Sequence, residues 1–269
     1  MRETPHSDAP VLDAQLLACH ILNISRTRLL AFPEQVLNHE QCDLLDTGLT
    51  RRVNGEPLAY IIGVREFWST ELVVTQNALV PRPDTEILVE KALELATEAP
   101  DGYIVDLGTG TGAIVIAMAQ ELPKRQFIAV EKSAAALHIA QTNLNKHTAG
   151  NVQLVHANWL DSVAADSVAM VLANPPYLAN NDPHLARLRH EPREALVSGN
   201  SGLEDLETIV RETARVGKDR APLVLEHGCN QAAAVQALLL DYSYAEIDKG
   251  LDLAGLERIS FGLVAKQSL

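Results

Sequence analysis

Cysteine is scarce in this 269-residue chain: Cys19, Cys42 and Cys229 are odd in number and far apart. That spacing excludes a zinc framework and a disulfide scaffold, so the three are expected to be reduced thiols of the core. The nine histidines show no metal-ligand spacing, and no metal is expected. Positive charge is also in deficit, with 22 Lys and Arg against 35 Asp and Glu and a net charge of −13. A broad grip on a phosphate backbone needs a basic face, so stable nucleic-acid binding is not expected. Long apolar runs are missing as well. The strongest, Ala113 to Ala119, is far too short to span a bilayer, and the start MRETPHSDAP is polar. A cytoplasmic protein without membrane contact is expected.

What is present is an ordinary globular composition, 47% hydrophobic and 21% charged. The length accommodates a catalytic domain of about 180 to 200 residues with a smaller partner domain. Before residue 65, apolar residues recur at helical spacing: Val11, Leu12, Leu16, Leu17 and Ile21, then Val36, Leu37, Leu44, Leu45 and Leu49. We therefore expect a helical domain over 1–65. Residues 66–83 change to an aromatic and β-branched alternation closed by Pro81 and Pro83, which predicts a β-hairpin linker with Phe67 and Trp68 in its core. Asp84 or Thr85 is expected to cap a helix ending near Ala96.

From Tyr103 onward, the runs YIVDL, FIAVE, VQLVH, VAMVLAN and LVLEH alternate with helical stretches, one of them near Leu203 to Val216. This rhythm predicts an α/β fold over 84–269, with a parallel sheet covered by helices and ligands in the crevice at the strands' carboxyl ends. Two final strands, near residues 243–248 and 258–264, are expected to form an antiparallel edge.

In YIVDLGTGTGAIVIAMA, Gly108, Thr109, Gly110, Thr111 and Gly112 lie between a buried strand and a helix. Glycine tolerates positive φ and has no Cβ, so such a loop turns tightly and lets backbone approach a ligand. Glu131 ends the next strand, where a carboxylate can accept both hydroxyls of a ribose. Together they indicate a nucleoside cofactor, but the constellation alone does not separate nicotinamide from S-adenosylmethionine. Glycine-rich turns also serve plain helix packing, and a carboxylate at a strand end is often only solvated.

The fourth strand of the rhythm runs into Asn174, Pro175, Pro176 and Tyr177. Neither proline has a backbone N–H, so the turn offers mainly carbonyl acceptors, and Asn174 adds an amide oxygen and an NH2 group. An acceptor-rich pocket of this kind suits a substrate NH2; a purely structural Asn-Pro turn is the plainer alternative.

These residues resemble the class I S-adenosylmethionine-dependent methyltransferases with an Asn-Pro-Pro-Tyr motif, and within them the protein-(glutamine-N5) methyltransferases of release factors. The likeness covers nearly the whole chain. It includes GEPLAYIIGVREFW, LVPRPDTEILVE, DLGTGTGAI, NPPY, EPREALVSGNSGLEDL and LVLEHG. The resemblance implies a Rossmann-like domain with a seven-stranded, mostly parallel sheet. It also implies S-adenosyl-L-methionine as cofactor, leaving as S-adenosyl-L-homocysteine. The 108–112 loop would lie along the methionine part, Glu131 would hold the ribose, and Asn158 and Trp159 would flank the adenine. Asn174, Pro175, Pro176 and Tyr177 would receive the glutamine of a release factor's Gly-Gly-Gln loop, with Asn174, Pro175 and Tyr177 as the catalytic set and Asn174 also near the cofactor. The helical leader would help hold the release factor, and a monomer is expected.

Three positions depart from the family pattern. Glu131 and Asn158 stand where Asp is usual, and KDRAP precedes LVLEHG in place of a glycine pair. Arg82, Asp84 and Glu86 are candidates for the cofactor entrance, whereas Glu226 and His227 read as structural. Rival readings are the glutamine of ribosomal protein L3 as substrate, a nucleic-acid base flipped into the same pocket, and a noncatalytic cofactor-binding protein.

Overall fold

A computed structural model describes residues 9–148, 150–161 and 163–266. The first eight residues of the expected helical domain, the last three of the chain, Ala149 and Ser162 lie outside them. The described chain opens with α1 (Pro10–Leu22), α2 (Arg26–Ala31), α3 (His39–Val53) and α4 (Leu58–Ile62). Local sequence accounts for these boundaries. Pro10 sits in the first turn of α1, where a missing N–H costs nothing, and the Ser25 side chain accepts from Arg28 N at the start of α2. Asn38 and Gln41 form a reciprocal capping box on α3, with bonds of 2.8 and 3.0 Å. The helices α1 and α3 meet at Gly48, where a Cβ would stand 2.9 Å from Leu17 Cδ1.

Of the apolar series expected on the inner faces of these helices, Leu17 alone is fully buried, while Val11, Leu12, Leu16, Val36, Leu44 and Leu49 are exposed. Val36 and Leu37 fall in irregular chain between α2 and α3, and among the described residues no second layer covers the exposed stripe. The helical unit is tied to the rest by Tyr60, whose hydroxyl donates to Ala78 O at 2.7 Å, and by Arg189 and His190 at the Asn54 carbonyl.

The hairpin is shorter than expected: β1 (Val64–Phe67) and β2 (Thr70–Val73) pair antiparallel, and residues 74–82 run as irregular chain. Trp68 and Ser69 form its turn with φ of 48° and 55°, the left-handed geometry that matches strand twist in a two-residue connection. Phe67 is buried as predicted. Trp68 is half-buried against the same core, with its indole N–H donating to Glu121 at 2.8 Å. Asn143, fully buried, accepts from Val73 N at 2.8 Å and donates to Val73 O and Thr111 O at 3.0 and 2.9 Å. One side chain thus joins the hairpin to the loop after β3 (Tyr103–Leu107).

The expected cap on the next helix is absent. A 3-10 turn over Pro83–Thr85 leads into α5 (Glu86–Ala96), and neither Asp84 nor Thr85 caps it through a side chain. Thr85 has helical dihedrals, and its hydroxyl is used elsewhere.

The chain then alternates β3, α6 (Ala113–Glu121), β4 (Gln126–Glu131), α7 (Ala134–His147), β5 (Val152–His156), β6 (Val168–Ala173), α8 (Glu204–Val216), β7 (Pro222–Glu226), α9 (Ala232–Asp241), β8 (Ala245–Leu251) and β9 (Glu257–Leu263). The seven strands lie in the order β5-β4-β3-β6-β7-β9-β8, the first five parallel and β9 antiparallel to both neighbours. This is the expected α/β architecture with an antiparallel edge. Every residue of β6 is buried because helices cover both faces, which is why the segment reads as one continuous apolar run. The longest apolar run, in α6, is likewise a helix buried all round. In α8 only Leu206, Ile209, Val210, Thr213 and Val216 are buried, the single stripe of a surface helix.

Contrary to expectation, no cysteine is buried: Cys19 is half-buried, and Cys42 and Cys229 are exposed. Among the described residues, no helix is long and apolar enough to cross a membrane, and no group of His, Cys, Asp or Glu is placed to hold a metal.

Candidate active site

Strand order reverses beside β3, between β4 and β6, and the loops leaving these three strands open a crevice at their carboxyl ends. It holds a cavity of about 590 Å³, within the usual range for small-molecule sites. Gly108, Thr109, Gly110, Thr111, Glu131, Asn158, Trp159, Asn174 and Pro176 all line it. Pro175, Tyr177 and Gly112 do not. Gly112 is the N-cap of α6 at φ 85°, and a Cβ there would meet Ile116 Cδ1 at 3.3 Å; its place is helix packing.

The glycine loop is stitched to the end of β4. Gly108 N and Thr109 N donate to Val130 O at 2.9 and 3.1 Å, and Gly110 N donates to Glu131 Oε2 at 2.9 Å. Ser133 N donates to the other carboxylate oxygen at 2.8 Å, so two amides aim the Glu131 side chain. The longer side chain at this position is therefore anchored. Gly108, at φ 67°, faces the Trp159 ring, to which a Cβ would come within 3.4 Å. Trp159 itself is fixed by an indole N–H bond to Asp205 Oδ1 at 3.2 Å. Asn158 is exposed at the cavity rim.

Sequence reasoning missed Asp106 and Asp205. Asp106 is buried beneath the loop, accepts from the Thr109 hydroxyl at 2.5 Å and keeps Oδ1 unpartnered. Burial, more than the nearby Glu131 charge, pushes its carboxyl up to about 7. An acid inside an otherwise apolar strand was the available signal. Asp205, on the first turn of α8, lines the cavity behind Trp159.

On the β6 side, Asn174 Nδ2 donates to Thr85 Oγ1 at 3.2 Å, which leaves Asn174 Oδ1 as the acceptor for a bound group. Glu226 ends the neighbouring strand β7, and Thr85 is among the groups that influence its charge. Glu226 is buried with Oε2 unpartnered, and desolvation pushes it up to about 7 against the opposing influence of Thr85 and Arg258. Burial pushes the Tyr177 hydroxyl up to about 12, with the Glu226 charge adding to the effect. Behind the motif, Gln231 Nε2 donates to Tyr177 O at 3.0 Å, and a Cβ on Gly202 would stand 2.4 Å from that carbonyl. Residues 178 and 197 form a bridge, so the segment following the motif is held by VSGNSG.

Arg82 lines the cavity and pairs with buried Glu191, whose Oε2 also accepts from Val80 N at 3.2 Å. Asp84 and Glu86 are elsewhere: Asp84 lies 3.7 Å from Arg258, and Glu86 accepts from Trp68 N at 2.9 Å. His227 is a core residue, bonded to Ser260 Oγ and Gly228 O at 2.9 Å and kept below the usual imidazole range by desolvation.

The chain matches the model of the PrmC N-terminal domain over residues 4–63 and that of the methyltransferase small domain over residues 83–200. It is 42% identical to a release factor glutamine methyltransferase of Vibrio cholerae over 95% of this chain and 90% of the relative. The protein of the same name from Escherichia coli is 41% identical, over 95% and 93%. Among solved structures, the hMettl16 catalytic domain in complex with the MAT2A 3′UTR hairpin 6 superposes with a TM-score of 0.58 at 14% identity, covering 86% of this chain and 84% of that one, and shows the shared fold. A glycine cradle aimed at an anchored carboxylate, beside an acceptor-rich Asn-Pro-Pro-Tyr turn, thus lies in a chain that belongs to the release factor glutamine methyltransferase family, enzymes of the class I methyltransferase fold.

Proposed function

We propose that this chain transfers a methyl group from S-adenosylmethionine to the side-chain amide nitrogen of the glutamine in the Gly-Gly-Gln loop of peptide chain release factors. The residues present fit the cofactor: the cavity volume suffices, the loop at Gly108 and Gly110 admits close backbone approach, and Glu131 is held ready for the ribose. Trp159 and Asn158 would flank the adenine. When bound, the cofactor supplies an electrophilic methyl group.

The observation that carries the reading is the fixed direction of Asn174. Because its NH2 is bound to Thr85, its oxygen is free to accept from a substrate NH2 at the cavity wall. A carboxamide nitrogen is a poor nucleophile because its lone pair is delocalised, and positive charge grows on it as the methyl arrives. Acceptors held about 3 Å from its hydrogens orient the lone pair and stabilise that charge. Asn174 Oδ1 fills this role at the cavity wall, while Pro175 and Tyr177, which stand off that wall, hold the turn that presents it, with Tyr177 O fixed by Gln231. No strong base is needed before transfer. The exposed apolar residues of the N-terminal helices are the docking surface for the release factor, which supports a role beyond packing for them.

The test is mass spectrometry of an unmethylated release factor after incubation with the chain and cofactor, with ribosomal protein L3 and DNA in parallel. The mass of one added CH2 on the Gly-Gly-Gln peptide alone is expected. A gain on L3 or DNA alone overturns the substrate, and no gain anywhere overturns the activity.

A further inference from the structure

Buried polar groups gather where β6 and β7 end. These strands pair in parallel with Ala173 opposite Leu225, so the next residues, Asn174 and Glu226, emerge side by side at the crevice. Thr85 meets Asn174 there from the turn that opens α5. It is 4% exposed and Glu226 is 2% exposed. A threonine at a helix start ordinarily spends its hydroxyl on capping, but here no cap is made and the hydroxyl faces sideways into Asn174.

We propose that Thr85 and Glu226 are positioning residues that lock the Asn174 amide with its oxygen toward the methyl acceptor. This rests on the proposed transfer at Asn174 and deepens it. An Asn side chain has two faces of similar shape and opposite polarity, and nothing in its own covalent structure selects one. A threonine hydroxyl is equally ambivalent, since it donates once and accepts twice. The ambiguity ends at Glu226, buried beside Asn174 at the end of the paired strand and sensitive to Thr85. Above the value near 7 to which burial raises it, its carboxylate only accepts, and it draws the Thr85 proton to its side. The Thr85 oxygen is then left to receive a proton, and Asn174 Nδ2 provides one at 3.2 Å. The reversed amide would place its oxygen against the Thr85 lone pairs and its NH2 against the substrate NH2, two repulsive contacts. Arg258, Arg82, Asp84 and Tyr177 are the other charged or titratable groups around Glu226, and none is bonded to Asn174 in the structure.

The test compares Thr85→Val, Thr85→Ser and Glu226→Gln with the wild type, assayed at a pH above the value near 7 to which Glu226 is raised. Valine keeps the branched shape and removes only the polar function. Its kcat is expected to fall roughly 100-fold, the cost of a misdirected reacting group, with KM for the release factor changed by less than about threefold. Thr85→Ser restores the hydroxyl and is expected to recover most of the rate. Glu226→Gln keeps the volume but adds a donor that competes for the Thr85 oxygen, with an expected loss of roughly tenfold. It decides the matter should Thr85→Val melt early. A second readout needs no catalysis: in 15N-labelled protein the Asn174 side-chain NH2 is protected from solvent exchange, and Thr85→Val removes that protection. Wild-type kcat in Thr85→Val, a Thr85→Ser variant as slow as Thr85→Val, or unchanged protection overturns the lock. A wild-type protein that methylates no release factor overturns the proposed function, while the exchange measurement still decides the lock.

Discussion

The N-terminal helices and the seven-stranded sheet both carry apolar residues in regular patterns, yet they spend them differently. In the sheet, β6 is buried at all six positions and α6 at seven consecutive ones, whereas in α1 and α3 Leu17 and Gly48 are the only buried residues. The polar groups follow the opposite rule. Asp106, Asn143, Thr85 and Glu226 are buried in or against the sheet domain, while the N-terminal ion pairs Arg51–Glu56 and Arg52–Asp13 sit nearer the surface. Among the described residues, exposed large apolar side chains are thus most concentrated in the N-terminal unit, while the buried Asp106, Thr85 and Glu226 gather around one crevice. Both are departures from simple burial, and both are where other molecules would meet the chain.

The contrast can be broken most sharply at the crevice. Asn174→Ala is expected to lower methyl transfer roughly 10²- to 10³-fold, as removal of one charge-stabilising partner does elsewhere, with a melting temperature within a few degrees of wild type. A rate near wild type would remove Asn174 from the chemistry. Core truncation then separates the two regions. Leu172→Ala, in the middle of β6, is expected to cost about 2–5 kcal/mol in a single cooperative denaturant transition. Leu17→Ala, in a unit with little around it to leave a rigid cavity, falls near the lower end at about 2–3 kcal/mol, with hydrogen-exchange protection lost first in α1 and α3.

Surface changes probe the other half of the comparison. Replacing Leu30, Phe32 and Val36 together with Ser is expected to raise KM for a whole release factor roughly tenfold while stability stays within about 0.5 kcal/mol per site. A short Gly-Gly-Gln peptide should be methylated as before, and equal loss on protein and peptide would place the docking surface elsewhere. Acid response is the smallest effect and differs in sign. Asp106 and Glu226 titrate higher in the folded chain than in the unfolded one, so the native state binds more protons and their contribution to stability falls as pH rises from about 4 to about 7. Glu56, held below its ordinary value by hydrogen bonding to Arg51, contributes stability that is lost as pH falls. Asp106→Asn should flatten the first dependence in urea melts across that window, and an unchanged slope would contradict its raised value.

The parts of the fold visible in the sequence are those where one pattern has one outcome. VAMVLAN is too apolar for a half-exposed strand, and its run into Asn174 set both the strand and the crevice before any coordinates. Glycines between strand and helix placed the loop, and Glu131 followed from the next strand end. What stayed hidden depended on neighbours. Periodicity in α1 and α3 says which residues share a stripe, and nothing about whether a second layer exists to cover it. Thr85 reads as a cap until β6 and β7 turn out to end beside it. Trp68 reads as fully buried until the hairpin closes two residues wide, and Asp106 reads as a strand residue until the glycine loop folds over it.

Asn143 deserves a last consequence. Positional error accumulates at every joint between a gripping part and a working part, and here the hairpin that follows the N-terminal helices meets the glycine loop through one fully buried amide bound to both backbones. On the proposed docking, a protein held on those helices is registered to the glycine loop partly across this joint, which works beside the ties from Tyr60 to Ala78 and from Trp68 to Glu121. Part of the tolerance with which the proposed target side chain would reach the crevice is set there, away from Asn174.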